Sequence, residues 1–523
     1  MTFHRSPVLA TILLLASSWN NTAWAAESEG AADPTATTQS KYHDLDDNAL
    51  LELRDAQLAK DSLSCEEKPL LSEMQKREAF ASQAQADYIL ASVNCAIDND
   101  DMKEAYRYVK QWELLEGFEP PEAAWALQIA YHSDARDDVL KRIADIAQFE
   151  EPDQLLKVTD TDIYHIIREF RSDDMQNEVT LIYNILLQSP HFAELHSNLR
   201  SITARYILGE HLKSGNPDIA AELLPHITVP TYYDEMLASR KYEPIWTQVE
   251  QRVGPNMEII FRDYLHSQSE AYQADSTNKE AKQRYGRALY YAGQYEDVIA
   301  LAQSIDHSAE AVPTWEEDDA WLLNFEAYAH DVLDNTTESD RIFDSFATIP
   351  NLANEKIWLT NFLLNRAGRL VNLGRWEEGL TATIIASGIT NDSGTPYAKM
   401  LVRSNKVCAL YNLGRTEDAL AMVEEIEVHL KDSLREAINA LLCVGNRERA
   451  AEIMVKGMAD EEESPALIAA LQKTKSNQDN SNSGPPTIYD ELHSHPQVSE
   501  AFNRIARLIP DQYIPLSYQL EEK

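Results

Sequence analysis

Two histidines near the end of the chain are the residues most suited to metal chemistry. His493 and His495 flank one serine, and Asp490 and Glu491 stand just before them. Imidazole and carboxylate groups are common zinc ligands. Because paired histidines are also common in ordinary polar loops, we predict no metal site and no cofactor.

Three acidic runs are the next candidates, because carboxylates bind calcium. They are 98-DNDD-101, 316-EEDD-319 and 460-DEEE-463. None has the glycine-containing loop of an EF-hand. Each precedes or opens a predicted helix, where carboxylates interact favourably with free amide groups and the helix dipole. We therefore interpret the runs as helix starts.

Motifs of common enzyme classes are missing from the sequence. It contains no Gly-x-Ser-x-Gly, no glycine-rich phosphate loop, no His-Glu-x-x-His and no dinucleotide-binding fingerprint. With 86 acidic residues, carboxylate pairs occur too often to indicate a hydrolase by themselves. The sequence thus predicts a protein that is not an enzyme.

The four cysteines form two pairs that are close in sequence. Cys65 precedes Cys95 by 30 residues, and Cys408 precedes Cys443 by 35. In an oxidising compartment an even count in close pairs indicates disulfides. Of the three possible pairings we expect the local one. The alternative is four buried free thiols.

The first 25 residues have the features of an export signal. Arg5 precedes the apolar run 8-VLATILLLA-16, and 23-AWA-25 supplies small residues before a cleavage point. No cysteine comes directly after that point, so we expect no lipoprotein anchor there. No later segment reaches the roughly 18 apolar residues that a membrane-spanning helix needs. We expect a signal peptide at 1–25, a flexible leader at 26–43, and an exported protein, either periplasmic or secreted.

The charge of the chain limits its partners. The formal net charge is -40 at pH 7. A field of this sign repels phosphate backbones and anionic membrane surfaces. We therefore expect no nucleic-acid partner, and the simplest role of the charge is solubility. The sequence leaves the oligomeric state open.

Apolar residues recur at three- and four-residue intervals from about residue 44 onward, which predicts amphipathic helices. These helices must position the candidate residues described above. Four segments align on a glycine, with a leucine four residues before it and a compact residue five after. The glycines are Gly293, Gly374, Gly414 and Gly445. Such a glycine ends one helix, and a compact residue lets the next helix pack closely. A helical hairpin of this kind leaves an apolar face for a neighbouring hairpin to cover.

The segment 286-GRALYYAGQYEDVIAL-301 resembles the tetratricopeptide repeat, with Tyr295 in that family's aromatic position and Trp376 in the same place of a later copy. The resemblance is good over about 280–458 and weaker upstream, near Gly215, Asp100 and Asp134. It implies an all-α fold, an α-solenoid of helical hairpins.

The resemblance also suggests a domain organisation. We expect degenerate repeats over 44–275, clearer repeats over 276–475, a linker at 476–487 and a C-terminal helical segment at 488–523. The uneven spacing of the glycines predicts irregular helix or loop lengths and a degenerate unit around 333-LDNTTESDRIF-343.

In tetratricopeptide arrays the first helices of successive hairpins line a concave groove, so the resemblance implies which residues face a partner. Asparagine and arginine can hydrogen-bond an extended peptide or a terminal carboxylate. The lysines of the family's carboxylate-gripping subclass are missing here, and ordinary solvated helix faces are the alternative. The candidate partner-binding residues are Arg284, Arg287, Tyr291, Asn361, Asn365, Asn372, Asn405 and Asn412.

Three functions follow as hypotheses. The leading one is an exported, non-enzymatic scaffold or adaptor that binds a protein or peptide partner through this groove. The second is an accessory factor or enzyme of envelope glycan or cell-wall processing, although only about 37 residues follow the linker. The third is a cargo- or metal-binding module that uses His493, His495 and the acidic surface.

Overall fold

A computed structural model describes residues 42–58, 63, 65–77, 80–115, 122–308, 310–347, 356, 358–473 and 484–515. The expected signal peptide, residues 26–41 of the expected leader and residues 476–483 of the expected linker lie outside these residues. The described residues divide into two compact units: an N-terminal unit that extends to Ile207 and a C-terminal unit that begins at Leu208.

Both units are built from α-helices, and the described residues contain no strand beyond one isolated bridge between Ser239 and Ala506. The all-α prediction is therefore confirmed. The helices are α1 Asp47–Leu58, α2 Lys68–Gln75, α3 Ala81–Asp98, α4 Met102–Trp112, α5 Ala123–His132, α6 Arg136–Ala147, α7 Asp153–Leu156, α8 Asp160–Ser172, α9 Gln176–Leu187, α10 Ser197–Lys213, α11 Pro217–Glu222, α12 Thr231–Ala238, α13 Trp246–Val253, α14 Glu258–Ala274, α15 Lys279–Tyr291, α16 Tyr295–Ala302, α17 Glu317–Val332, α18 Thr336–Ala347, α19 Leu359–Asn372, α20 Trp376–Ser393, α21 Pro396–Asn412, α22 Thr416–Val428, α23 Leu434–Cys443, α24 Arg447–Gly457, α25 Ser464–Ala470, α26 Ile488–Leu492 and α27 Pro496–Ile505.

Nine helical hairpins in the described residues share one turn. In each, a residue with left-handed φ lies two positions after the first helix and two before the second. The amide of that residue and the next amide donate to carbonyls of the last helical turn, for example Gly293 N to Tyr290 O at 3.1 Å and Gln294 N to Leu289 O at 2.9 Å. This pattern satisfies carbonyls that a helix end otherwise leaves free. The nine residues are Asp100, Asp134, Asp174, Gly215, Gly293, Asp334, Gly374, Gly414 and Gly445.

The second helix of every such hairpin packs through a compact residue. A buried residue stands five positions after each left-handed residue. A Cβ on Gly379 would come within 2.9 Å of Val371 Cγ2 on the preceding helix, so this site has no room for a larger residue. The nine positions are Ala105, Val139, Val179, Ala220, Val298, Ser339, Gly379, Ala419 and Ala450. The hairpin array that the glycine pattern predicts is present.

The acidic runs serve as helix starts and turns, as interpreted from the sequence. The Asp101 carboxylate accepts the Glu104 amide at 3.0 Å at the start of α4. Glu316 and Asp319 form a reciprocal capping box at the start of α17. Asp460 accepts the amides of Glu462 and Glu463 in the turn before α25.

Candidate partner-binding surface

The first helices of the C-terminal unit form a continuous face. Consecutive first helices α15, α17, α19, α21 and α23 contact one another directly, whereas the described parts of consecutive second helices touch marginally at most. Each second helix packs instead on the first helix of the following hairpin. Neighbouring first helices are therefore closer together, and the array curves toward them. We call the solvent-facing side of α15, α17, α19, α21 and α23 the inner surface.

Four of the eight predicted partner-binding residues are buried between helices. Arg284, Tyr291, Asn365 and Asn405 are each less than 9% exposed. The Arg284 guanidinium donates to Glu280, one turn earlier on α15. These side chains contribute to helix packing, a role that their spacing alone did not distinguish from partner binding.

Buried asparagines link two neighbouring first helices. Asn365 on α19 donates to Asn324 Oδ1 on α17 at 3.1 Å. In the described residues neither Oδ1 of Asn365 nor Nδ2 of Asn405 on α21 has a hydrogen-bond partner. Sequence reasoning missed Asn324. Counted back from the left-handed turn residue of its own hairpin, its position differs by one residue from that of Asn365.

The other four predicted residues remain accessible to solvent. Arg287, Asn361 and Asn372 are half-buried, and Asn412 is exposed. Arg287 donates to the Tyr264 hydroxyl at 3.1 Å, and Asn412 donates to the carbonyl of Cys408 at 2.9 Å. The side-chain amides of Asn361 and Asn372 make no hydrogen bond within the described residues. These two amides are therefore accessible polar groups without an intramolecular partner in the described residues.

Two carboxylates stand near these helices: Asp318, which belongs to the acidic run 316-EEDD-319, and Asp234, which sequence reasoning did not single out. Burial raises the pKa of Asp234 on α12 to about 7 and that of Asp318 on α17 to about 6, and Glu280 and Glu317 add like charge at Asp318. Both side chains are partly accessible to solvent, yet within the described residues neither has a hydrogen bond or ion pair. Accessible but poorly solvated carboxylates of this kind are frequent at functional sites.

A third ionisable side chain with an unpaired polar atom is the arginine at the start of α23. Arg435 is half-buried, and its Nε atom has no hydrogen-bond partner in the part of the chain that the structure describes. Its charge acts on Tyr397, whose phenol pKa is raised by burial and then by the charge of Glu436. Only the tertiary fold brings α21 and α23 together here, so no local sequence signal marks this pair.

The cysteines lie in the local pairs that the sequence predicts. Cys65 and Cys95 are at disulfide-bonding distance with Cα atoms 4.7 Å apart, and Cys408 and Cys443 with Cα atoms 5.1 Å apart. The second pair joins the first helices α21 and α23. Each compact unit contains one pair.

The two histidines take separate partners. His493 stacks on Tyr489, while Nε2 of His495 lies 3.4 Å from a carboxylate oxygen of Glu448. The described residues contain no cluster of three or more histidine, cysteine, aspartate or glutamate side chains arranged to hold a metal ion. Among the same residues, no helix is both long and apolar enough to cross a membrane.

Comparisons with known proteins assign the chain to no family. No family model matches it, and no curated protein matches it. Among solved structures it is similar to the crystal structure of yeast Tom70, at 11% identity and a TM-score of 0.32, over 87% of this chain and 99% of that one. It is also similar to a circular tandem repeat protein with novel repeat topology and enhanced subunit contact surfaces, at 15% identity and a TM-score of 0.11, over 80% of this chain and 89% of that one. TM-scores this low support no further argument.

Proposed function

We propose that the protein is an exported, non-enzymatic scaffold that binds a protein or peptide partner along the inner surface of its C-terminal unit. The observation that carries the proposal is the pair of unbonded amides of Asn361 and Asn372, about three helical turns apart along α19. An amide offers both a donor and an acceptor, as an extended peptide backbone does.

Charged groups elsewhere in the C-terminal unit support partner binding in preference to a purely structural role. Asp234 and Asp318 are carboxylates without protein partners among the described residues, and Arg435 has a buried Nε without one. Leaving such groups unpaired costs stability. A polypeptide partner with basic groups would pair the two accessible carboxylates, whereas the strongly acidic chain disfavours a polyanion.

Binding through α19 is tested with a double variant. The full-length protein is used to capture partners, and the affinity of the purified partner is measured by calorimetry. Replacing Asn361 and Asn372 with Ala removes two unbonded amides, so the fold should be unaffected while affinity falls about tenfold or more, since each lost hydrogen bond is worth about 1 kcal/mol. Asn391→Ala, at an exposed asparagine on the second helix α20, is the matched control. Equal affinity of the double variant and the control would refute the role of α19.

The export component of the proposal has its own test. Mass spectrometry of the native protein should find a mature N-terminus near Ala26 and, after non-reducing digestion, the linked pairs Cys65–Cys95 and Cys408–Cys443. These pairs lie at bonding distance in the structure. Four free thiols, or an intact residue 1–25 segment on the native protein, would contradict export.

A further inference from the structure

A small cleft of about 330 Å³ lies at one end of the hairpin α15–α16. Its walls come from the start of α15 and from the segment that joins α16 to α17. Lys279 and Lys282 line it beside the apolar surfaces of Ile305 and Trp315. The indole Nε1 of Trp315 donates to the carbonyl of Asp306 at 2.9 Å, which fixes one wall.

The carboxylates in this cleft already accept hydrogen bonds from donors of the protein. Asp319 accepts from Lys279 Nζ at 2.8 Å and from the Glu316 amide at 3.1 Å. Asp306 accepts the Ser308 amide at 2.8 Å, and hydrogen bonds from Ser308 lower its pKa.

Lys282 differs from Lys279 because it has no carboxylate partner among the described residues. Its half-buried ammonium donates to the Ser304 hydroxyl, which itself donates to the Leu301 carbonyl at 3.0 Å. Burial lowers the pKa of Lys282, and the nearby charge of Asp319 opposes that effect only partly. An ammonium has three N–H donors, so two remain available here.

We propose that this cleft binds a small oxyanion, a carboxylate or phosphate group, with Lys282 as its charge partner. The cleft offers donors that the protein leaves available: the free N–H groups of Lys282 and the hydroxyl of Ser276, which makes no hydrogen bond in the described residues. Hydrogen bonds between an ammonium and an oxyanion are among the strongest in proteins. Ile305 and Trp315 shield the contact from water on one side, which strengthens it further.

None of the lining residues of this cleft is among those assigned to partner binding. The volume of the cleft accommodates an acid group together with part of the molecule that carries it. The ligand is therefore either a free small anion or the acid group of a larger molecule, and the two probes below distinguish carboxylate from phosphate.

The test is calorimetric titration of the full-length protein with sodium acetate and with sodium phosphate at constant ionic strength. Saturable binding of at least one anion is expected. Lys282→Gln should weaken it about tenfold or more, because the charge-assisted hydrogen bond to the anion is lost. Lys282→Arg retains the charge and should bind within a few-fold of the native protein. Lys456→Gln is the matched control, at an exposed lysine of α24 without a partner in the described residues.

A second measurement does not depend on any variant being folded. In the unmodified protein the Trp315 indole N–H resonance should shift during titration with the anion that binds. Absence of saturable binding of both anions, equal affinity in Lys282→Gln, or a bound anion that leaves the Trp315 resonance unmoved would each overturn the proposal. None of these results bears on the Asn361 and Asn372 measurement, which uses a polypeptide ligand.

Discussion

At the scale of the residue, the turn of each hairpin depends on one left-handed backbone position. Gly414 has φ +78° and no atom within 4 Å of the point where a Cβ would stand. The cost of a side chain here would therefore come from the backbone conformation and not from a collision. The left-handed backbone region costs L-residues about 1–2 kcal/mol, and aspartate and asparagine tolerate it best. This explains why four of the nine turn positions are aspartates.

Gly414→Ala should lower the free energy of unfolding by about 1 kcal/mol. The left-handed strain outweighs the smaller entropy that alanine has in the unfolded chain. Gly388→Ala is the control, because Gly388 also has open space around it but lies inside helix α20 without a left-handed φ. That replacement should raise stability by about 0.5–1 kcal/mol. Urea denaturation measures both, and a loss of stability in the two variants alike would contradict the argument.

The left-handed turn positions show how much of the fold can be predicted from individual residues in the sequence. Four turns were predicted from glycine spacing, and Gly215, Asp100 and Asp134 were recognised as weaker copies. Asp174 was missed, because aspartate is also common at helix starts and in loops, so that only the structure shows its φ of 61°. A glycine carries a conformational signal that an aspartate does not.

At the scale of the element, one arginine joins three helices. Arg369 on α19 donates from Nε and Nη2 to the two carboxylate oxygens of Asp331 on α17, both at 2.6 Å, and from Nη1 to Asp340 on α18, also at 2.6 Å. The side chains of Arg369 and Asp331 are about 5% exposed. Arg375, in the turn after α19, closes the network on Asp340 at 2.7 Å.

Arg369→Ala should destabilise the C-terminal unit by about 3–5 kcal/mol, because it leaves the Asp331 carboxylate buried and unpaired. Arg366→Ala is the control on the same helix. Arg366 pairs with Asp344, whose side chain is 61% exposed, so this change should cost less than about 1 kcal/mol. Chemical denaturation of both variants checks the difference, and equal losses would show that the network contributes no more than a surface ion pair.

The helices themselves were predictable, but the contacts between them were not. Apolar periodicity and the turn glycines predicted where hairpins occur. The partners of Arg369 stand 29 and 38 residues away, and their register depends on how α17, α18 and α19 pack. For the same reason the sequence could place Asn365 on a first helix but could not tell a buried contact with Asn324 from an exposed binding position.

At the scale of the whole molecule, the end of the chain returns to the beginning of the C-terminal unit. The amide of Arg507 donates to the Ala238 carbonyl and its Nε to the Leu237 carbonyl, each at 2.8 Å. Its guanidinium lies 3.6 Å from the ring centre of Trp246 and donates to Glu250 at 2.7 Å. The sequence separations are about 260–270 residues, and nothing in the sequence distinguishes Arg507 from the other basic residues. These contacts between the end of the chain and the start of the C-terminal unit therefore could not be predicted from the sequence.

Arg507→Ala should lower the stability of the C-terminal unit by about 2–4 kcal/mol, because a desolvated cation–π contact and charge-assisted hydrogen bonds are lost together. Hydrogen exchange should accelerate in α12 and α13, and not merely in α27, because the closing contacts lie on Leu237, Ala238 and Trp246. Arg504→Ala, at an exposed arginine of α27, should change stability by less than about 0.5 kcal/mol. If exchange in Arg507→Ala increased only after residue 496, the C-terminal segment would be a passive attachment, and α12 and α13 would be held in place by the hairpins alone.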